Sequence, residues 1–265
     1  MKNGIRAWKQ IAKRSLKGNY RLPIMAAVIL LLLNVIGSDF AVRLFPGDDA
    51  LTIAVSQIFA FIVSLLITIY TTGVGYMYLH ISRKEQASAA DLIYFFKHQP
   101  DRILLSAFVV SVIEYVMTIP ASYYGFTHTT GATMEELRVW MMHIMMYSFA
   151  SLILTFIFTL PFKLTFYLLA DDKELGSFEA LKLSCVYMKK NWGKYLLLEL
   201  SFIPWMLICL YLTFGIGFLW LIPYMKMSET VFYRNIRGEL DGYFTDDNER
   251  IEGGQMAGGS GRQID

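Results

Sequence analysis

Five ionisable side chains lie inside or at the edge of long apolar stretches of this 265-residue chain: Glu114, Lys163, Glu199, Lys226 and Glu229. Charge in hydrocarbon is expensive, so such groups by default face other protein or a wet cavity. Lys163 precedes Asp171 by eight residues, and Glu199 follows Trp192 by seven. At a helical rise of about 1.5 Å per residue, both lie roughly 10–12 Å inside the same boundary. Equal depth and opposite charge make them a candidate pair, expected within salt-bridge or single-water distance. Lys226 and Glu229 extend the pair to a neutral set of four. Such a set can fix the register of neighbouring helices or line a polar pocket open to the cytoplasm, and Lys163 can also snorkel to the headgroups. Glu114 has no partner at its depth; a carboxyl hydrogen-bonded to a neighbouring helix is its simplest state.

Soluble catalytic signatures are missing: no H-E-x-x-H, phosphate loop, dinucleotide glycine fingerprint or serine elbow occurs. No nucleophile–base or paired-carboxylate set is evident, so the expectation is a protein that is not an enzyme and needs no cofactor. His128 and His143, the two histidines on one side, lack a further ligand and make a poor metal site. Asp171-Asp172 reads as a solvated helix end with water as its partner. Cys185 and Cys209 give no disulfide framework.

The elements that must position these groups are apolar helices. Hydrophobic residues make up 55% of the chain and charged residues 17%, against about 45–50% and about 25% in soluble domains. That balance excludes a disordered chain and points to an all-α polytopic membrane protein. Six apolar stretches run at about 22–44, 52–80, 103–123, 142–169, 194–212 and 214–234. Each is near the roughly 20 residues of a helical span. The first is read as a span, because the basic region before it is long and helical in pattern and no small-x-small cleavage site ends it. The last two share one apolar run, divided where Thr213-Phe214-Gly215-Ile216-Gly217 reads as a tight turn.

Twenty-one of the 24 Lys and Arg fall at 1–22, 80–102, 170–194 and after Met225; Arg43 and Arg138 alone fall on the other side, with Lys163 inside a span. The positive-inside rule then places both termini in the cytoplasm, as an even span number requires. The spans form three hairpins, each preceded by an amphipathic segment suited to the membrane interface. In the first, Ile5, Trp8, Ile11, Ala12 and Leu16 share a face; in the second, Leu92, Phe95 and Phe96; in the third, Phe178, Leu181, Cys185 and Met188. Ser88 and Ser177 are the expected caps. Gly73, Pro161 and Pro223 are expected to break the three even spans near mid-membrane. Residues 1–237 thus form one transmembrane domain. Residues 238–265, with seven acidic side chains against two basic ones, read as a disordered, acidic, glycine-rich tail.

The C-terminal third carries a resemblance. Leu169-Ala170-Asp171, Glu179-Ala180-Leu181-Lys182-Leu183-Ser184, Met188 and Trp192 lead to Leu198-Glu199-Leu200-Ser201-Phe202-Ile203-Pro204-Trp205. Gly215-Ile216-Gly217-Phe218-Leu219-Trp220-Leu221-Ile222-Pro223-Tyr224-Met225 and Phe232-Tyr233 close it. This pattern resembles the integral membrane family called domain of unknown function nine-seven-five, itself loosely similar to the membrane domain of some glycerophosphodiester phosphodiesterases. The resemblance implies a six-helix protein of the bacterial plasma membrane and supplies no catalytic residue.

Two functions follow from these features. The first is lipid or partner binding, or scaffolding, at the cytoplasmic face. Seven cations and no acid in residues 1–22 would engage anionic headgroups at about 1 kcal/mol each. A membrane-protein partner or a homo-oligomer fits the same reading, and nucleic acid does not. The alternative is a small transporter or permease using a polar pocket among spans four to six, because broken helices near the midplane are how many transporters hold substrate.

Overall fold

The computed structural model describes residues 4–47, 49–128 and 133–240, and every regular element in them is a helix. The order is α1 (Ile5–Leu16), α2 (Arg21–Leu44), α3 (Ala50–Arg83), α4 (Ala89–Leu92), α5 (Tyr94–Lys97), α6 (Pro100–Thr127) and α7 (Met134–Thr159). A 3-10 turn at Leu160–Phe162 follows, then α8 (Thr165–Asp171), α9 (Ser177–Leu200), α10 (Ile203–Leu212) and α11 (Phe218–Ile236). Four stretches are long and apolar enough to cross a membrane: Leu51–Arg83, Pro100–Gly125, Met134–Asp171 and Ser177–Leu212. The pair α1–α2, bent by 100°, makes a fifth if counted as one span. Gly18, at φ 89°, sits at that bend, in a region that glycine enters without penalty. Helix α11 carries Lys226, Glu229 and Arg234 in 19 residues and is not among the apolar candidates.

The packed core lies at one end of the bundle. There Trp8 and Leu16 of α1, Met77, Tyr78 and Leu79 of α3, Leu168 and Leu169 of α8, and Phe232 and Tyr233 of α11 are fully buried. Trp8 meets Phe232 edge-on at 5.2 Å, an arrangement that adds to the area both bury. Away from this core, helix surfaces are covered in exposed aliphatic side chains. Ile58 of α3 and Leu152 of α7 keep 60% and 65% of their surface. Water penalises such a surface, and lipid tails do not.

Several local features differ from the expected ones. Gly73 does not break α3, which runs unbroken through it. Its role is close approach: a Cβ at Gly73 would clash with the Leu92 carbonyl oxygen, so the end of α4 packs on bare backbone at this point. Pro223 sits inside the continuous α11. The third amphipathic segment does not stop before span five, because α9 continues from Ser177 to Leu200. Pro204 ends it, lacking an N–H and crowding the carbonyl four residues back. Gly176, not Ser177, occupies the cap position of α9, and the Ser177 hydroxyl donates to the Arg102 carbonyl instead. At Ser88 the expected cap is present, with the Asp91 carboxylate accepting the Ser88 N–H at 2.9 Å. The second segment is two single turns, with Leu92 and Phe95 buried and Phe96 exposed; on the third, Phe178 is exposed as well. The turn at 213–217 forms where expected, with Phe214 and Gly215 both at positive φ.

Glu239 and Leu240 pack against the helical body. Glu239 accepts two hydrogen bonds from Arg83 and one from Arg234, and Leu240 is buried. The remainder of the tail, 241–265, lies outside the described residues.

Candidate functional site

The interruption of α7 sets the site. Pro161 cannot donate to the helix ladder, and the chain tightens into the 3-10 turn at Leu160–Phe162 before α8 resumes at Thr165. Ser184 of α9 takes over part of the lost bonding. Its hydroxyl donates to the Pro161 carbonyl at 2.7 Å and accepts the Leu164 N–H at 3.2 Å. A second interruption lies between α9 and α10, where the Lys9 ammonium donates to the Ser201 carbonyl at 3.1 Å and sits 3.8 Å over the Phe202 ring. One cation of the basic N-terminal segment therefore points into the protein rather than toward headgroups.

A cavity of about 520 Å³ opens beside the first interruption. Its wall includes Glu114 from α6, Lys163 from the α7–α8 junction, Glu199 from α9, and Lys226 and Glu229 from α11. All five ionisable residues singled out in the sequence are thus gathered around one space. Tyr78, Tyr167 and Tyr195 add aromatic surface from α3, α8 and α9, and Thr71 and Gly75 contribute from α3.

Two of these groups pair directly. No ion pair joins Lys163 to Glu199 among the described residues; the pair that forms is Lys226–Glu229, one helical turn apart at 3.0 Å. The Tyr167 hydroxyl donates to the same Glu229 carboxylate at 3.4 Å. The depth match between Lys163 and Glu199 assumed two regular helices. The 3-10 turn lies immediately before Lys163 and alters the rotation and rise that carry it. Lys163 shares the cavity wall with two carboxyl groups, Glu114 and Glu199, without pairing directly with either. Glu199 Oε1 is buried and has no hydrogen-bond partner.

A charge network lies next to this cavity, and the sequence reading missed it. Arg83 at the end of α3 donates to Asp171 Oδ1 at 2.6 Å and grips Glu239 through two bonds, at 2.6 and 3.1 Å. Arg234 donates to Glu239 at 2.8 Å and to the Ser82 carbonyl at 2.6 Å, while the Tyr233 hydroxyl donates to Asp171 Oδ2 at 2.8 Å. Asp171 is therefore held by protein groups rather than by water alone. Tyr233 of the network stacks on Tyr167 of the cavity wall at 5.6 Å. Its only sequence signal was that Arg83, Asp171 and Arg234 fall at similar distances from Gly73, Pro161 and Pro223. That pattern indicates matched position along helices, not contact.

His128 and His143 both pack on the Tyr124 ring, at 4.3 and 5.7 Å between centroids. No group of three metal-ligating side chains occurs among the described residues. Cys185 and Cys209 are free thiols.

Comparison with known proteins finds one family match, to the model described as "Protein of unknown function (DUF975)", over residues 2–239. No curated protein and no solved structure matches the chain. Since the match covers nearly all of the chain, from before α1 to beyond α11, the chain belongs to the DUF975 family.

Proposed function

We propose that this is a multi-pass membrane protein that binds a small ligand in the cavity between its helices, as a permease or a solute-binding membrane protein, without catalysing a reaction on it. The observation that carries the reading is the gathering of Glu114, Lys163, Glu199, Lys226 and Glu229 around one cavity of about 520 Å³. That volume falls in the range of small-molecule sites, roughly 300–1,000 Å³. A purely structural role would be served by closed ion pairs in a dry bundle. Here Lys226–Glu229 is closed, while Glu199 keeps an unpartnered buried oxygen. The interrupted helix at Pro161 beside the cavity is the kind of element that transporters use to bind substrate.

In this reading the chain crosses the membrane six times, on α2, α3, α6, α7–α8, α9–α10 and α11, with α1 and α4–α5 at the cytoplasmic interface. The distribution of Lys and Arg supports that orientation. The test is native mass spectrometry of the gently extracted full chain. The expected result is a retained small ligand that is lost from Thr71→Phe, whose ring would project into the cavity and narrow it. Identical bound masses in the two proteins would overturn the assignment.

Engagement of anionic lipid is a second role, supported by Arg6, Lys13 and Lys17, which are exposed along α1 with no acidic residue in that segment. Retention of phosphatidylglycerol over phosphatidylcholine in the same spectra, lost on changing these three to Gln, is its expected signature.

A further inference from the structure

We propose that the ligand of this cavity is an organic cation: a molecule with one ammonium group on an apolar or aromatic body. The inference deepens the binding reading and rests on it. Three carboxylates and two ammonium groups line the space. Lys226 and Glu229 neutralise each other by direct contact. What is left is one cation, Lys163, facing two carboxylates, Glu114 and Glu199, neither of which forms an ion pair with it or with any other described residue. With Glu114 and Glu199 ionised, the cavity wall carries one more negative charge than positive. The buried Glu199 Oε1 lacks the donor that a buried carboxylate oxygen requires, and an ammonium N–H supplies both the donor and the charge.

The rest of the wall selects the body of that cation. Phe156, Phe162, Phe166, Tyr78, Tyr167 and Tyr195 line the same space. Aromatic faces attract ammonium groups and accept apolar ligand surface. A bare metal ion is a poor fit. The volume is far larger than one ion, and no three metal-ligating side chains among the described residues lie close enough together to hold one. An anion would meet two unpaired carboxylates, and a zwitterion would leave the excess negative charge in place.

The test uses the purified full chain in detergent and four probes sharing one body: 2-phenylethylammonium, 2-phenylethanol, phenylacetate and phenylalanine, at equal ionic strength. Kd is read from the concentration dependence of Tm. The ammonium probe is expected to bind at least about tenfold more tightly than the alcohol, the difference one charge-assisted hydrogen bond makes. Phenylacetate is expected to bind most weakly. In Glu199→Gln that preference is expected to shrink to about twofold or less, with Glu114→Gln as the parallel variant should the first fold poorly. Glu135→Gln, on the exposed start of α7, keeps the full preference.

Equal binding of alcohol and ammonium would overturn the cationic class while leaving the cavity a ligand site. Tightest binding by phenylalanine would make Lys163 the anchor and overturn the charge argument. Ammonium binding unchanged in both Gln variants would place it elsewhere and overturn the proposal. If no probe binds while native spectra still show a cavity-dependent ligand, this class fails alone; if neither is seen, the binding reading fails with it.

Discussion

The hydroxyl of Ser184 donates to the carbonyl of Pro161 at 2.7 Å and, in the same position, accepts the N–H of Leu164 at 3.2 Å. One fully buried side chain on α9 thus splices both ends of the interruption between α7 and α8. The break that places Lys163 at the cavity is stabilised from outside its own helix.

Ser184→Ala should therefore lower stability by about 1–3 kcal/mol, because it strands a buried backbone donor and acceptor rather than removing a surface contact. Thermal unfolding in detergent measures this. A loss within about 0.5 kcal/mol, typical of a neutral surface change, would mean that the break supports itself.

Lys226 and Glu229 should be coupled more strongly than Lys163 and Glu199. Lys226→Met leaves Glu229, whose side chain is 12% accessible, without its cation. It should cost more stability than the double change with Glu229→Leu, which removes both charges. Lys163→Met and Glu199→Leu, which share the cavity wall without direct contact, should show a smaller coupling energy than Lys226 and Glu229. A coupling energy for Lys163 and Glu199 as large as that for Lys226 and Glu229 would restore the direct pair.

The clamp on Glu239 should make stability acid-sensitive. Burial pushes the Glu239 carboxyl up, but the hydrogen bonds from Arg83 and Arg234 outweigh it and hold its pKa below the ordinary value. A carboxyl whose folded pKa is depressed contributes its full stability above its unfolded value, near about 4.3, and loses it as pH falls through the folded value. Tm should decline below about pH 4.5. Glu239→Gln should melt lower at pH 7 and show a flatter acid limb. Parallel acid limbs in the two proteins would show that Glu239 does not carry the effect.

Topology is open to labelling in cells. In a background with Cys185 and Cys209 replaced, an impermeant thiol reagent added outside should reach a cysteine at Thr130 and not one at Ala87, since the two loops differ sharply in Lys and Arg content. The opposite pattern would invert the orientation.

Membrane character, all-helical class and the identity of the cavity's ionisable residues were legible in the amino-acid order. They rest on composition and on what hydrocarbon forbids. A carboxylate within an apolar stretch has few tolerable environments, so Glu114 and Glu199 were conspicuous without coordinates. Partner choice was not legible. Helical periodicity gives depth and face only while the helix stays regular, and the 3-10 turn after Pro161 changes both for Lys163. Gly73, Pro161 and Pro223 looked equivalent as breakers, yet only Pro161 interrupts a helix; Gly73 admits the backbone of α4, and Pro223 is absorbed within α11. Ser184, Lys9 and the Arg83–Asp171–Glu239 network carry no local signal, because each is defined by a group distant in sequence. Long-range packing alone decided which buried donor met which buried acceptor, and therefore which charges were satisfied and which were left facing the cavity.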